Sequence, residues 1–115
     1  MSGQSASAVA EPVVKVVPKK DSRPKKQPRY HVILWDDDDH SYEYVVLMMK
    51  QLFGHSFEKG FEIAKQVDNS GNAICLTTTK EHAELKRDQI RAFGRDHLIE
   101  GCTGSMSASI QPEHA

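Results

Sequence analysis

The chain has 115 residues, enough for one domain with a single small core, and its 15 Lys/Arg against 16 Asp/Glu give a net charge of −1. That balance hides a division: residues 1–29 hold seven basic residues against Glu11 and Asp21, a net +5, and the remainder holds eight against fourteen, a net −6. The two cysteines, Cys75 and Cys102, lack C-x-x-C spacing, no apolar run approaches the ~18 residues of a membrane span, and no secretory h-region is present, so a soluble cytoplasmic protein without disulfides or zinc is expected.

Residues 1–28 are rich in Ser, Ala, Pro and Lys and hold four of the five prolines, Pro12, Pro18, Pro24 and Pro28, which interrupt any continuous helix or central strand. They are expected to form a disordered basic extension to an ordered core over 29–112. The lysines of the extension lack the interleaved aromatics of a nucleic-acid surface and the body is acidic, so no nucleic-acid partner is expected.

Tyr30–Trp35 is apolar except at His31 and reads as a strand buried largely on both faces. A helix then opens at His40 or Ser41, with Glu43 suiting its dipole, and runs to Phe53 before Gly54. Val45, Met48, Met49, Leu52 and Phe53 form its core stripe. Ser56 caps a second helix, on which Phe57, Phe61, Ala64 and Val67 share one face. A turn at Asn69-Ser-Gly-Asn leads into a strand over Asn72–Thr78. Thr78 and Glu81 are spaced as a capping box for a third helix to about Phe93, which carries a weak stripe of Ala83, Ile90 and Phe93 and is expected at the surface. Gly94, Gly101 and Gly104 mark a loop, and Ser105–Ile110 alternates so that Met106, Ala108 and Ile110 face one way as a last strand. The order βααβαβ predicts an α+β fold, a small three-stranded antiparallel sheet packed against three helices.

The functional signal is the junction after the first strand, where Asp36, Asp37, Asp38 and Asp39 follow one another directly. Four like charges there repel one another unless something cationic uses them. A Mg²⁺-binding receiver domain would need a further Asp and Lys at the ends of later strands, and neither later strand ends in either. An EF-hand loop would need Gly at the sixth position from Asp36, where Ser41 stands. The six histidines show no metal-ligand pair at helical spacing, His31, His55 and His97 read as structural, and Cys75 reads as packing, so no catalytic centre, metal or cofactor is expected.

Several blocks stand out in order along the chain: Tyr30-x-Val-Ile-Leu-x-Asp-Asp-Asp, Glu43-Tyr-Val45, Gly71-Asn-Ala-Ile-Cys75 and Thr79-x-Glu81-x-Ala83-Glu-x-Lys86. Over about residues 30–96 and the final strand, with an apparent insertion at Gly101–Gly104, they resemble the ClpS family, the bacterial adaptors that hand N-degron substrates to the Clp protease. The resemblance implies a monomeric, non-enzymatic adaptor with two partners, a substrate bearing a free N-terminal residue and the N-terminal domain of a Clp AAA+ ATPase. It places the substrate's α-amino group at Asp36, Asp37 and Asp68. It places the first side chain in a pocket of Asp38, His40, Tyr42, Val45, Ala64, Val67 and Met106, and the ATPase contact at Glu81 and Lys86.

Family members usually carry Asn at the position of Asp36, His at that of Asp68, Thr at that of His40, and Met at those of Tyr42 and Ala64. An ammonium group offers three N–H donors, for which carboxylates are the strongest acceptors. Ionised Asp36 cannot donate to a peptide carbonyl as Asn would, so that contact passes to His40, to water, or to one of the three carboxylates kept protonated by its crowded neighbours. Ala64 is expected to deepen the pocket and Tyr42 to fill or gate it, giving an altered preference that extends to basic first residues. The alternative is a ClpS-like interaction module with altered or lost N-degron recognition, on a fold that also resembles the C-terminal domain of ribosomal protein L7/L12.

Overall fold

A computed structural model describes residues 27–114; the predicted extension lies, up to residue 26, outside them. The elements run β1 (Tyr30–Trp35), α1 (Tyr42–Phe53), α2 (Phe57–Ser70), β2 (Asn72–Thr78), α3 (Lys80–Arg91) and β3 (Ala108–Pro112). The three strands form an antiparallel sheet in the order β2-β1-β3, so the expected α+β architecture is the observed one. No helix among the described residues is long and apolar enough to cross a membrane.

β1 is central because it is the most apolar strand. Val32 and Leu34 are fully buried beneath the helices, and Ile33 is nearly as buried on the opposite face. There Trp35 Nε1 donates to Ser109 Oγ at 2.8 Å, and His31 Nδ1 lies 2.7 Å from Thr77 Oγ1. The β1–β2 register slips between Val32 and Ile33, where Cys75 is the extra residue of a bulge. Cys75 and Leu76 consequently both pack on the core. Burial pushes the Cys75 thiol up to about 12, which keeps it neutral and unreactive.

Helix starts follow their caps. Ser41 Oγ accepts from Tyr44 N and Ser56 Oγ from Lys59 N, as the sequence indicated. The third cap differs: Thr79, not Thr78, caps α3 by accepting from His82 N, and His82 rather than Glu81 occupies the third position, so no reciprocal capping box forms. β3 also starts later than predicted, at Ala108, although the alternation beginning at Ser105 keeps Met106 and Ala108 buried. On α2, Ile63, Ala64 and Val67 face the core, whereas Phe57 and Phe61 stand largely exposed beside α1.

α1 and α2 meet at Gly60, where a Cβ would come within 3.2 Å of the Val46 Cα. A backbone atom cannot rotate out of the way, so α1 would have to shift. Gly60→Ala is therefore expected to destabilise the domain by about 1–2 kcal/mol despite the roughly 1 kcal/mol gained in helix propensity. Urea unfolding checks this, and a stabilised variant would show that the helices are not in contact there.

Candidate functional site

Four segments end together at one edge of the molecule: β1, the start of α1, the end of α2 and the lead-in to β3. Two backbone bonds fasten them, Asp36 N–H to the Gly71 carbonyl at 2.9 Å and Trp35 N–H to the Ser107 carbonyl at 3.0 Å. Gly71 is the joint. It sits at φ 89°, a left-handed conformation suited to glycine, and its N–H closes α2 on Val67 O at 2.8 Å. Asp68, in the last turn of α2, is thereby brought to the acidic run after β1.

The result is a hollow of about 50 Å³ lined by Asp36, Asp37, His40, Ser41, Tyr42, Val45, Ala64, Val67, Asp68 and Met106. Nine of these were anticipated from the sequence; Ser41, anticipated only as a cap, is the addition. Asp38 departs from the expected set. Asp39 N–H donates to Asp37 Oδ1 at 2.9 Å, and the tight turn this closes leaves Asp38 exposed, outside the lining.

Asp37 and Asp68 are held by separate donors. Asp37 Oδ1 accepts from Asp39 N and lies 2.8 Å from His40 Nδ1. The other ring nitrogen, Nε2, is 2.8 Å from the Gly104 carbonyl, which can only accept. His40 rests against the Tyr44 ring, centroids 4.5 Å apart. Both its ring nitrogens thus have partners within the chain.

Tyr42 donates its hydroxyl to Asp68 Oδ2 at 2.8 Å and packs edge-on against Phe61. That hydrogen bond, with partial desolvation and the charges of Asp68 and Asp36, pushes the phenol above its ordinary 10.0. Among the described residues the second oxygens of Asp37 and Asp68 and the side chain of Asp36 accept no hydrogen bond. The hollow therefore presents acceptors at its mouth and apolar side chains, Val45, Ala64, Val67 and Met106, within. The C-terminal end of α2 adds its negative dipole end. Such an arrangement suits one ammonium group with an apolar group beside it. No group of three or more His, Cys, Asp or Glu among the described residues is placed to hold a metal.

The loop after α3 supplies parts that the sequence did not reveal. Asp96 is buried and accepts from Ser41 N at 2.6 Å and Leu98 N at 2.9 Å. Burial acts to raise its pKa, but these bonds, the Ser41 hydroxyl and the nearby His40 outweigh it and hold the carboxyl below its ordinary 3.8. Cys102 Sγ sits 3.4 Å from His40 Nε2 and accepts from Asp96 N at 3.2 Å. The loop thus fixes both His40 and the cap of α1.

Glu81 and Lys86 lie apart, on α3. Glu81 is exposed in its first turn. Lys86 reaches across to the Leu52 carbonyl near the end of α1 and lies 5.7 Å from the centroid of Phe53.

Compared with known proteins, residues 25–100 match the model of the family described as ATP-dependent Clp protease adaptor protein ClpS. A ClpS adapter from Aromatoleum aromaticum is 32% identical over 76 residues, covering 66% of this chain and 74% of the relative. One from Ruegeria is 36% identical over 78 residues, covering 66% and 69%. Among solved structures, Agrobacterium tumefaciens ClpS2 bound to L-phenylalaninamide superposes with a TM-score of 0.66 at 23% identity, covering 76% of this chain and all of that one. That likeness speaks for the fold.

Asp96→Asn would leave one of two backbone N–H groups facing an amide N–H₂, and is expected to cost about 1–3 kcal/mol at neutral pH. Because the folded-state pKa is depressed, the Asp96 contribution is complete above 3.8 and is lost as pH falls through the lower folded value. The stability gap between the two proteins, measured by urea unfolding, should narrow in acid. A gap of constant size would contradict the account.

Proposed function

Since the chain belongs to the ClpS family of Clp protease adaptors, we propose that it binds substrate N-termini at the hollow and delivers them to a Clp ATPase for ATP-dependent degradation. The observation that supports this most strongly is the convergence of Asp36, Asp37 and Asp68 on one small apolar hollow. A free N-terminus is the cation that also carries a side chain beside its charge, so a carboxylate clamp next to an apolar hollow reads both at once. The ammonium takes the unoccupied oxygens of Asp37 and Asp68 together with Asp36. That the neighbouring ClpS2 structure holds an amino-acid amide with a free α-amino group is in keeping with this assignment.

Residues 29–112 form the adaptor core in this proposal, and 1–28 a basic extension to it. Glu81 and Lys86 mark the face offered to the N-terminal domain of the ATPase, and the adaptor itself performs no catalysis. Tyr42, bridging to Asp68 across the mouth, favours a second reading, an interaction module that has lost N-terminus recognition.

One comparison separates the two. A peptide with a free N-terminal Phe should bind with measurable anisotropy change and its N-acetylated form should not. Asp37→Asn should weaken the free peptide by on the order of 10- to 100-fold, the loss of one charge-assisted bond of roughly 1.5–3 kcal/mol. Equal binding of the acetylated peptide would favour the second reading.

A further inference from the structure

Two larger grooves flank α1. One, of about 300 Å³, runs between α1 and the loop after α3 past Leu47, Phe93 and Leu98. The other, of about 540 Å³, lies between α1 and α2 and is lined by Tyr42, Val46, Leu47, Lys50, Phe57 and Phe61 among others. Of the two, only the second shares a residue with the amine hollow, and that residue is Tyr42. Its ring is the common wall: Asp68 is held on one side and Phe61 is met edge-on at 5.4 Å on the other.

The groove is apolar where a solvated helix pair should be polar. Leu47 is 49% exposed, Phe57 65% and Phe61 41%, and Phe57 stacks on Phe61 at 6.2 Å with no core residue above them. The charges at its rim are one of each sign, Glu43 and Lys50, so it selects for apolar rather than charged contact. Its length also fits a short peptide. From Tyr42 to Lys50 α1 rises about 12 Å at ~1.5 Å per residue, which an extended chain at ~3.3 Å per residue covers in about four residues.

We propose that this groove seats the residues following the substrate's first one, in extended conformation, and that it adds affinity for apolar side chains at positions two to five. The inference rests on the proposed amine recognition: a peptide whose first residue is fixed beside Tyr42 continues over that ring directly onto Phe61 and Leu47. It makes the protein a reader of a short apolar N-terminal segment rather than of a single residue.

The test uses peptides that all begin with Phe and carry a free amine, with either apolar residues or Gly and Ser at positions two to five. They are measured by fluorescence anisotropy against the full chain and its Leu47→Glu and Phe57→Glu variants, both substitutions at exposed positions outside the amine hollow. The apolar peptide should bind the native chain about tenfold more tightly than the Gly/Ser peptide, as burial of one or two half-exposed side chains implies. Either variant should erase that advantage while leaving the Gly/Ser peptide unaffected. Equal affinity of the two peptides, with acetylation still abolishing both, would overturn the groove and leave amine recognition standing. Undiminished binding of acetylated peptides would overturn amine recognition and the groove with it. A native dimer that the variants convert to monomer would assign the groove to a second copy of this chain and overturn the proposal.

Discussion

Carboxylates gathered at the end of an apolar strand repel one another unless donors offset their charge, and that constraint shapes the surroundings of Asp37 and Asp68. Asp37 is the centre of it. One of its oxygens takes the Asp39 N–H and faces the His40 ring, which leaves the other directed to the hollow. His40 in turn is held from behind by the Gly104 carbonyl, and its neighbour Ser41 by buried Asp96. Apart from Met106, which lines the hollow, the loop after α3 therefore acts on the site from behind. It sets the ring, the ring sets Asp37, and Asp37 supplies the acceptor.

The same economy appears on the α2 side, with a different donor. Where the family pattern resembled by this chain has His and Met, here Asp68 and Tyr42 stand opposite each other and share a hydrogen bond. An additional negative charge is met by a phenol rather than by a cation, so under the proposed function an ammonium would share Asp68 with a neutral donor. Ala64 leaves room beneath, and Tyr42 limits access to it; the hollow of about 50 Å³ is what remains between the two.

Much of this was legible in the sequence because its signals are local. The apolar run Tyr30–Trp35, the stripe from Val45 to Phe53 and the caps Ser41 and Ser56 each depend on residues within a few positions of one another. Thr78 and Thr79 are both competent caps, and the choice fell to Thr79 because Thr78 is held in β2 opposite Tyr30. Phe57 and Phe61 carry the helical spacing of a core face, but Gly60 draws α2 against α1 so closely that both rings are left outside. Periodicity identifies a shared face and not what covers it. The roles of Asp96, Cys102 and Gly104 were illegible for another reason: their partners Ser41 and His40 lie 55 to 64 residues away, in a segment whose glycines signal only a loop.

The account turns on three carboxylates gripping a protonated nitrogen, and the pH dependence of peptide binding tests that most directly. An α-amino group titrates near 7.7–8.0, so raising the pH from 7 to about 9.5 should weaken binding by roughly thirty- to fiftyfold as the ligand loses its charge. The Tyr42 phenol at the mouth titrates above 10 and does not share in the change. Calorimetric titration across that range should follow the ionisation of the peptide amine. An affinity at pH 9.5 equal to that at pH 7 would contradict the clamp.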